Sequence, residues 1–336
     1  MKRVVLGLSG GVDSAVAAYL LKKQGYEVIC VFMRNWDSSL NNDILGNPTN
    51  DDDVCPQEKD YQDAQAVASH LGLEIRRVDF IKKFKAFLDY AKSIDADYIA
   101  TGHYARVVHN EGEESVMLRG VDNNKDQTYF LCQLNQNQLN NSLFPIGELT
   151  KPEVRRIAEE LDLPVAHKKD STGICFIGER DFREFLKNYI PAKSGKMVDI
   201  VSKKVIGDHQ GIMYYTIGQR KGLGIGGNGE PWFVVGKDYD KNILYIAQGD
   251  SNKWLLSHGA LITDVNWVSK TKPEGEYDCT AKFRYRQKDN DVSLHFIDET
   301  TLYVTFKKPI KAVTPGQAAV FYDGDVCLGG GTIDKV

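Results

Sequence analysis

The sequence predicts an α/β fold built on a parallel sheet, followed by a region made mainly of short β-strands. Over residues 1–108, strand-like apolar runs alternate with amphipathic helical segments, at a spacing typical of right-handed crossovers between parallel strands. From about Asp199 onward, short segments rich in β-branched and aromatic residues are separated by Gly, Asp, Asn and Pro turns. The first pattern indicates a sheet covered by helices on both faces, and the second an all-β region.

The first crossover begins with the apolar run Val4–Leu8, which predicts a strand. The glycine-containing string Ser9–Ser14 follows directly and opens a helix. One face of that helix is apolar and carries Val12, Val16, Tyr19 and Leu20. Gly25 ends the helix, and Glu27–Met33 predicts the second strand.

The rest of the α/β region follows the same alternation. Asp37–Lys59 is polar and rich in Asn and Asp, which predicts a mobile loop. Glu74–Val78 and Tyr98–Thr101 predict the third and fourth strands. Each is preceded by a helix with apolar residues at i, i+3, i+4 and i+7: Ala64, Val67, Ala68 and Leu71, then Phe84, Phe87, Leu88 and Ala91. Thr150–Glu153 has the pattern of a capping box and predicts the start of a further helix.

The all-β region is predicted from five segments with turn residues between them. They are Trp232–Gly236, Ile243–Ala247, Thr280–Tyr285, Val292–Ile297 and Leu302–Phe306. We expect one domain boundary near Glu179 and another near Asp250. The predicted division is therefore 1–179, 180–250 and 251–336.

Composition excludes several classes of protein. The 336 residues are 42% hydrophobic and 26% charged, which is typical of globular domains and not of disordered chains. No apolar run is long enough to cross a membrane, and the N-terminal apolar stretch is too short for a signal peptide. The six cysteines form no CxxC pair, which argues against a disulfide framework or a zinc ribbon. We therefore expect a protein of the reducing cytoplasm with no membrane partner.

Charge distribution says more than the net charge of −4. Residues 177–221 carry nine Lys/Arg against five Asp/Glu, and Phe283–Lys288 is a second basic and aromatic patch. Such patches can be solvated faces, or can hold phosphates if they lie around a cleft. Charge alone does not decide between these interpretations.

The string Ser9-Gly-Gly-Val-Asp-Ser14 lies between the first strand and the first helix, where a parallel sheet binds anions. Glycine lets the backbone approach a phosphate closely, while the alternative is a plain glycine turn capped by Ser14. No Gly-Lys-Ser/Thr follows, so the string is not a Walker motif. It resembles the loop of the PP-loop ATP pyrophosphatases, which implies ATP as cosubstrate and Mg²⁺ organised by Asp13.

Further strings narrow this resemblance to one branch of the superfamily, the tRNA-specific 2-thiouridylases. They are Phe32–Trp36, Ala100–Arg106, Lys125–Phe130, Lys169–Arg180, Gly218–Gly227, Thr314–Gln317 and Leu328–Gly331. They occur in family order over nearly the whole chain. The resemblance implies a PP-loop domain, a small central domain and a C-terminal β-barrel, the last two gripping tRNA. It also implies adenylation of the wobble uridine O2 and sulfur delivery from a persulfide supplied by a donor protein.

The resemblance also assigns individual residues. The implied ATP contacts are Gly7, Leu8, Ser9, Gly10, Gly11, Val12, Asp13, Ser14, Met33 and Gly102. The implied tRNA contacts, which serve the anticodon region, are His103, Lys125, Asp126, Gln127, Arg284, Tyr285 and Gln317. Cys175 matches the cysteine that carries the persulfide.

The residues around Cys175 are compatible with that role. The neighbouring Lys168 and Lys169 would favour a thiolate, whereas Ile-Cys-Phe taken alone is more typical of an inert buried cysteine. We expect Cys30, Cys132, Cys279 and Cys327 to be small core residues, and Cys55 to be exposed in an acidic loop. The run Gly222–Gly227 superficially resembles a dinucleotide loop but lacks a strand–helix frame, which favours a hairpin or basic loop.

The chain departs from the family pattern at one place. Family members carry a segment with Asn-Pro-Asp-x-x-Cys before the helix that corresponds to Phe84–Ala91. Here Val78-Asp-Phe80 passes directly into Ile81, and no Asn-Pro-Asp occurs anywhere in the chain. The base-contacting Asp and the second catalytic cysteine are thus missing. Three hypotheses follow: a thiouridylase with altered sulfur release, an ATP- and tRNA-binding remnant, or PP-loop chemistry on another acceptor. The Cys175 motif argues against the third.

Overall fold

The computed structural model describes residues 1–34, 56–79, 86–110, 112–170, 182–270 and 272–336. Two compact units account for these residues. The N-terminal unit comprises Met1–Asp181 with the short segments Trp267–Thr271 and Gly324–Gly329. The C-terminal unit comprises Phe182–Asn266, Lys272–Asp323 and Gly330–Val336.

The N-terminal unit alternates strands and helices, as predicted. Its described elements are β1 (Arg3–Gly7), α1 (Val12–Lys23), β2 (Glu27–Arg34), α2 (Pro56–Leu71), β3 (Glu74–Asp79), α3 (Ala86–Ser93), β4 (Tyr98–Ala100), β5 (Ala105–Val108), β6 (Val116–Arg119), α4 (Thr128–Leu131), α5 (Gln136–Leu139), β7 (Ser142–Leu143) and α6 (Lys151–Glu160). The predicted capping box is present at the start of α6, where the Glu153 carboxylate accepts a hydrogen bond from the Thr150 N–H at 2.7 Å.

The sheet of this unit has the strand order β3-β2-β1-β4-β7, and its pairs are all parallel. Val4, Val5 and Leu6 of the central strand β1 are fully buried. One face packs against α1, α2 and α6, and a smaller apolar cluster around Val5 and α3 covers the other. Helices therefore lie on both faces, which confirms the α/β prediction.

Some expectations for this unit need correction or fall outside the described residues. The predicted mobile loop Asp37–Lys59 is wrong at its end, because α2 already begins at Pro56. A proline suits the first turn of a helix, where its missing N–H has no partner to lose. The rest of that segment, and Phe84 of the third predicted helix, lie outside the described residues. The hairpin β5–β6 was not predicted; its short strands pair from Ala105 with Arg119 to Val108 with Val116.

The C-terminal unit is mainly β. The elements that lie in it wholly or for the most part are α7 (Phe182–Lys187), β8 (Gly195–Asp199), β9 (Val205–His209), a 3₁₀ turn (Ile212–Tyr214), β10 (Trp232–Asp238), β11 (Ile243–Gln248), a second 3₁₀ turn (Lys253–Leu255), β12 (Leu256–Trp267), β13 (Glu276–Lys282), β14 (Asn290–Phe296), β15 (Leu302–Lys311), β16 (Ala318–Asp323) and β17 (Val326–Lys335). The last residue of β12 and the first four of β17 belong to the N-terminal unit. Strands β10-β11-β8-β9 form a four-stranded sheet.

The six strands β12-β15-β14-β13-β16-β17 form the C-terminal barrel, which closes because β12 also pairs with β17. This confirms the β-barrel implied by the resemblance. The predicted strand Thr280–Tyr285 was misplaced: β13 begins earlier, at Glu276, and ends at Lys282. The chain turns soon afterwards, and Arg286 has a φ of +63°, which lies outside the β region. Of the helices in the described residues, none is long and apolar enough to cross a membrane.

Candidate nucleotide site and its ion-pair network

The loop between β1 and α1 is shaped to receive an anion. The first N–H groups of a helix have no intrahelical partner, and Gly11 at the N-cap of α1 supplies no side-chain acceptor for them. Ser14 tethers the loop instead: its hydroxyl donates to the Gly11 carbonyl (3.1 Å) and accepts from the Ser9 N–H (3.2 Å). The loop is thus held by its own serine, and among the described residues the N-cap position of the helix makes no side-chain cap hydrogen bond.

Three glycines let neighbouring segments approach this loop closely. Gly10 has a φ of +77°, and a Cβ there would lie 2.1 Å from the Asp60 carbonyl oxygen. A Cβ on Gly102 would lie 2.8 Å from the Ser14 amide nitrogen, and one on Gly7 would lie 3.1 Å from the Met33 methyl. Of the predicted ATP contacts, Gly102 therefore lies against the start of α1, and Met33 lies beside Gly7 at the carboxyl end of β1.

Asp13, in the first turn of α1, has two partners that the sequence did not reveal. Its Oδ1 accepts a hydrogen bond from the Tyr104 hydroxyl at 2.8 Å and lies 2.7 Å from the Lys151 ammonium. Burial, followed by the Asp13 carboxylate, raises the pKa of the Tyr104 phenol. Lys151 stands inside the predicted capping box, where the pattern indicated a helix start and gave no sign of a contact with Asp13.

The Lys151 ammonium is shared with a second carboxylate, that of Asp170. Asp170 accepts from Lys151 at 2.8 Å, from Lys125 at 2.7 Å and from Arg155 at 2.7 Å. Burial acts to raise the pKa of Asp170, but hydrogen bonds from Lys125 and Lys151 outweigh it and hold the pKa well below its usual range. We call Asp13, Lys151, Asp170, Lys125 and Arg155 the ion-pair network.

Lys168 contacts the other side of the loop. Its ammonium donates to the Gly10 carbonyl at 3.0 Å and lies 2.7 Å from Asp60 and 2.5 Å from Asp63. Its charge is therefore compensated by two carboxylates of α2. The expectation that Lys168 favours a thiolate at Cys175 stays a prediction, because Cys175 lies outside the described residues. Of the two lysines, Lys169 is the exposed one.

The predicted tRNA contacts of the N-terminal unit are mostly engaged in internal hydrogen bonds. His103 is partly buried beside the Thr101 hydroxyl (2.7 Å), and burial lowers its pKa against the opposing effect of Asp13. Asp126 is buried and accepts from Gly120 and Thr128. Gln127 accepts from the Tyr104 N–H at 3.0 Å. Lys125 is the positively charged residue of the segment 125–127, and its ammonium forms an ion pair with Asp170.

The predicted tRNA contacts of the C-terminal unit lie at one end of the barrel strands. Arg284 donates to the Ile217 carbonyl and to the Thr314 hydroxyl, both at 2.8 Å. Tyr285 lies beside the Arg286 guanidinium, 5.3 Å from ring centroid to Cζ. Arg284 and Tyr285 are thus partly buried, whereas Gln317 is exposed.

The glycine run Gly222–Gly227 forms a loop and not a dinucleotide fold, because the next element is the strand β10. The loop lines an open pocket of about 450 Å³ together with Arg220, Glu230 and Trp232.

The described cysteines are not suited to carry sulfur. Cys30, Cys132 and Cys327 are buried and Cys279 is partly buried. Burial raises the pKa of the Cys30 thiol to about 12, of Cys132 to about 11 and of Cys279 to about 12, and raises that of Cys327 well above its usual value. Cys55 and Cys175 lie outside the described residues. Within the described ranges, no group of three or more His, Cys, Asp or Glu could hold a metal ion.

Three family models together match nearly the whole chain. The tRNA methyl transferase HUP domain matches residues 2–86 and 79–179, the tRNA methyl transferase PRC-barrel domain matches 183–248, and the aminomethyltransferase beta-barrel domain matches 257–333. The first model thus matches in two pieces that meet at residues 79–86.

Individual relatives match over the same length. The tRNA-specific 2-thiouridylase MnmA of Bacillus cytotoxicus is 52% identical over 364 residues, covering 99% of this chain and 95% of the relative. That of Mycoplasma capricolum is 53% identical over 371 residues, covering 100% and 99%. Among solved structures, NMN synthetase from Francisella tularensis covers 55% of this chain and 74% of its own, with a TM-score of 0.31 and 18% identity, too low to support an inference.

Proposed function

Because this chain belongs to the tRNA-specific 2-thiouridylase family, we propose that it uses ATP to replace O2 of the wobble uridine of tRNA with sulfur. The observation that carries the proposal is the loop Ser9–Ser14 at the start of α1, where the N-cap Gly11 makes no side-chain cap and Asp13 lies in the first turn. This loop would bind the phosphates of ATP through backbone N–H groups, as helix N-termini bind anions. Gly102 lies against Asp13 and Ser14 of this loop, and Met33 lies beside Gly7, which precedes it.

The residues present fit a magnesium ion that arrives with ATP. Mg²⁺ in nucleotide sites is commonly held by one or two carboxylates together with phosphate oxygens. Asp13 supplies one carboxylate at the helix start, and its contacts with Tyr104 and Lys151 both fall on Oδ1. When bound, the ion would neutralise phosphate charge; Asp13 would orient it, and Lys151 would compensate the carboxylate in its absence.

The proposed reaction has two stages. In the first, uridine O2 attacks the α-phosphorus of ATP, the bond to pyrophosphate breaks, and AMP is left on the oxygen. In the second, the terminal sulfur of a persulfide on Cys175 attacks C2 and AMP leaves with the original oxygen. A further thiol must then cleave the remaining S–S bond, forming a disulfide with Cys175 and releasing the 2-thiouridine. Since the family's second cysteine is missing, we propose that a low-molecular-weight thiol performs this step.

Chain connectivity supports Cys175 as the sulfur carrier. Asp170 is bound to Lys151, which also contacts Asp13 of the nucleotide loop. Cys175 follows five residues later. The described cysteines are poor alternatives because burial keeps them protonated.

We also propose the three-domain division 1–179, 180–250 and 251–336, which the spans of the three family models support. The central domain and the barrel would bind the anticodon region of tRNA, with Arg284, Tyr285 and Gln317 in contact. His103 and Lys125 would contact it from the first domain, while Asp126 and Gln127, whose side chains are bonded within the unit, would hold that segment in place. Two observations support a missing segment after Phe80: the divided match at 79–86, and alignments longer than the 336 residues of this chain.

The partner that loads Cys175 would be a persulfide-carrying donor protein, and we place the reaction in the cytoplasm. The scattered cysteines without CxxC pairs support a reducing compartment.

The test is direct. Purified protein is treated with inorganic polysulfide, which transfers sulfane sulfur to a thiolate, and is then freed of excess reagent and incubated with a tRNA transcript and MgATP. Dithiothreitol is added last to cleave the remaining S–S bond, and the digested RNA is analysed for 2-thiouridine by mass spectrometry. We expect product from the wild type, none from Cys175→Ser, and unchanged product from the control Cys279→Ser. Tight tRNA binding without product would identify an ATP- and tRNA-binding remnant. Product that survives Cys175→Ser would overturn the assignment of the sulfur carrier.

A further inference from the structure

We propose that Lys151 and Asp170 are positioning residues that couple tRNA binding at Lys125 to nucleotide binding at Asp13. The inference rests on the proposed function, because it takes Lys125 as a tRNA contact and Asp13 as a nucleotide contact. It adds a role for two residues that would touch neither ligand.

The contacts form an unbroken series of opposite charges. Lys125 lies 2.7 Å from Asp170, Asp170 lies 2.8 Å from Lys151, and Lys151 lies 2.7 Å from Asp13. The series lies within the N-terminal unit. The single ammonium of Lys151 contacts both carboxylates and so connects the two ends of the series. Only 12% of the Lys151 side chain is exposed. Water therefore screens these pairs less than it screens pairs at an open surface.

A second route joins the same two ends through uncharged groups. Gln127, two residues after Lys125, accepts from the Tyr104 N–H, and its own backbone N–H donates to the Tyr104 carbonyl. The Tyr104 hydroxyl donates to Asp13. The buried Asp126 accepts from the backbone N–H groups of Gly120 and Thr128. This route fixes the segment 125–127 against the nucleotide loop, so that the Lys125 side chain is the part that can change partner.

The charges set the direction of the coupling. In the absence of ligands, Lys151 divides its hydrogen bonds between Asp13 and Asp170. An RNA phosphate that draws Lys125 away from Asp170 leaves that carboxylate with one cation fewer, so Asp170 attracts Lys151 more strongly. Asp13 is then released from Lys151 and can serve the magnesium of MgATP. Linkage requires the reverse effect to be equal, so bound MgATP would tighten tRNA binding by the same factor.

The experiment measures a binding cycle on the full chain. The affinity of the α,β-methylene analogue of MgATP is determined by calorimetry with and without saturating tRNA transcript, for the wild type and for Asp170→Asn. Couplings between sites are typically about five-fold or more. We therefore expect tRNA to tighten analogue binding by about five-fold in the wild type, and by a factor close to one in Asp170→Asn.

A matched variant controls for the charge change. Glu160→Gln removes a carboxylate from α6 that pairs with Arg156 on an exposed face, outside the ion-pair network; it should retain the wild-type coupling. If Asp170→Asn does not fold, Lys151→Met interrupts the same series one residue earlier and should also abolish the coupling.

The inference is overturned if the wild type binds both ligands but tRNA does not change its affinity for the analogue. It is also overturned if tRNA still tightens analogue binding in Asp170→Asn or Lys151→Met. Failure of the proposed function looks different: the wild type would bind no analogue, bind no tRNA, or form no 2-thiouridine.

Discussion

The Lys168 ammonium donates a hydrogen bond to the carbonyl oxygen of Gly10 at a distance of 3.0 Å. Lys168 precedes Cys175 by seven residues in the chain, so the contact fixes a residue close in sequence to Cys175 against the loop that would hold ATP. The same ammonium neutralises Asp60 and Asp63, two carboxylates that would otherwise repel a phosphate bound there.

Replacing Lys168 should therefore weaken nucleotide binding. In Lys168→Met, Asp60 and Asp63 lose their common cation beside the loop, and we expect the affinity for MgATP to fall about ten-fold, equivalent to about 1.4 kcal/mol. Calorimetric titration measures it. The neighbouring Lys169→Met removes an equal charge from an exposed side chain and should bind normally. Adding Asp63→Asn to Lys168→Met should recover part of the loss; no recovery would contradict the electrostatic explanation.

Gly102 should tolerate no side chain. A Cβ there would lie 2.8 Å from the Ser14 nitrogen and 2.9 Å from the Asp13 carbonyl carbon, both backbone atoms at the start of α1. We expect Gly102→Ala to displace the helix start and to weaken MgATP binding by about ten-fold or more. Gly226→Ala is the control, because a Cβ at Gly226 meets nothing within 4 Å. Equal ATP affinity in the two variants would refute the proposed close approach.

The described thiols should react slowly with an alkylating agent. Burial raises the pKa of Cys30 to about 12 and of Cys132 to about 11, so almost no thiolate exists at about pH 8. Brief treatment with iodoacetamide, followed by peptide mass spectrometry, should leave both unmodified, together with Cys327. The same treatment in guanidinium chloride should modify all six cysteines. Rapid modification of Cys30 in the native protein would show that its strand is not buried as described.

The free energy of unfolding should decrease on mild acidification, because His103 is then protonated. Burial lowers the pKa of its imidazole in the folded protein, so the unfolded chain binds more protons at this position. The free energy of unfolding is then highest above the unfolded pKa of about 6.5 and decreases as the pH falls below it. Urea unfolding at several pH values measures the decrease, and His103→Gln should reduce its slope.

Much of the fold could be predicted because its determinants are local. The alternation of β1, α1 and β2 follows from apolar periodicity and from the glycines at both ends of α1. The capping box at Thr150 needs only residues three positions apart. The hairpin β5–β6 was missed because its strands have four residues each, too few to show a period.

The candidate site was predicted in part. Gly7, Met33 and Gly102 were assigned through motifs; the structure has Met33 beside Gly7 and Gly102 against the start of α1, and their role in binding ATP stays a prediction. Asp126 and Gln127 were assigned in the same way, yet their side chains bond within the unit. A motif preserves residue type and order, but it does not distinguish a residue that contacts a ligand from one that holds its neighbour in place.

The sequence by itself determined the α/β region, the all-β region, the family and the position of the phosphate loop, since each depends on neighbouring residues or on motifs in order. Only the tertiary structure decided that Lys151, 138 residues after Asp13, contacts the Asp13 carboxylate. The same lysine also pairs with Asp170. The physical reason is that ion pairs depend on where α6 packs against α1. Charges far apart in the chain acquire partners only when the apolar core has set their distance.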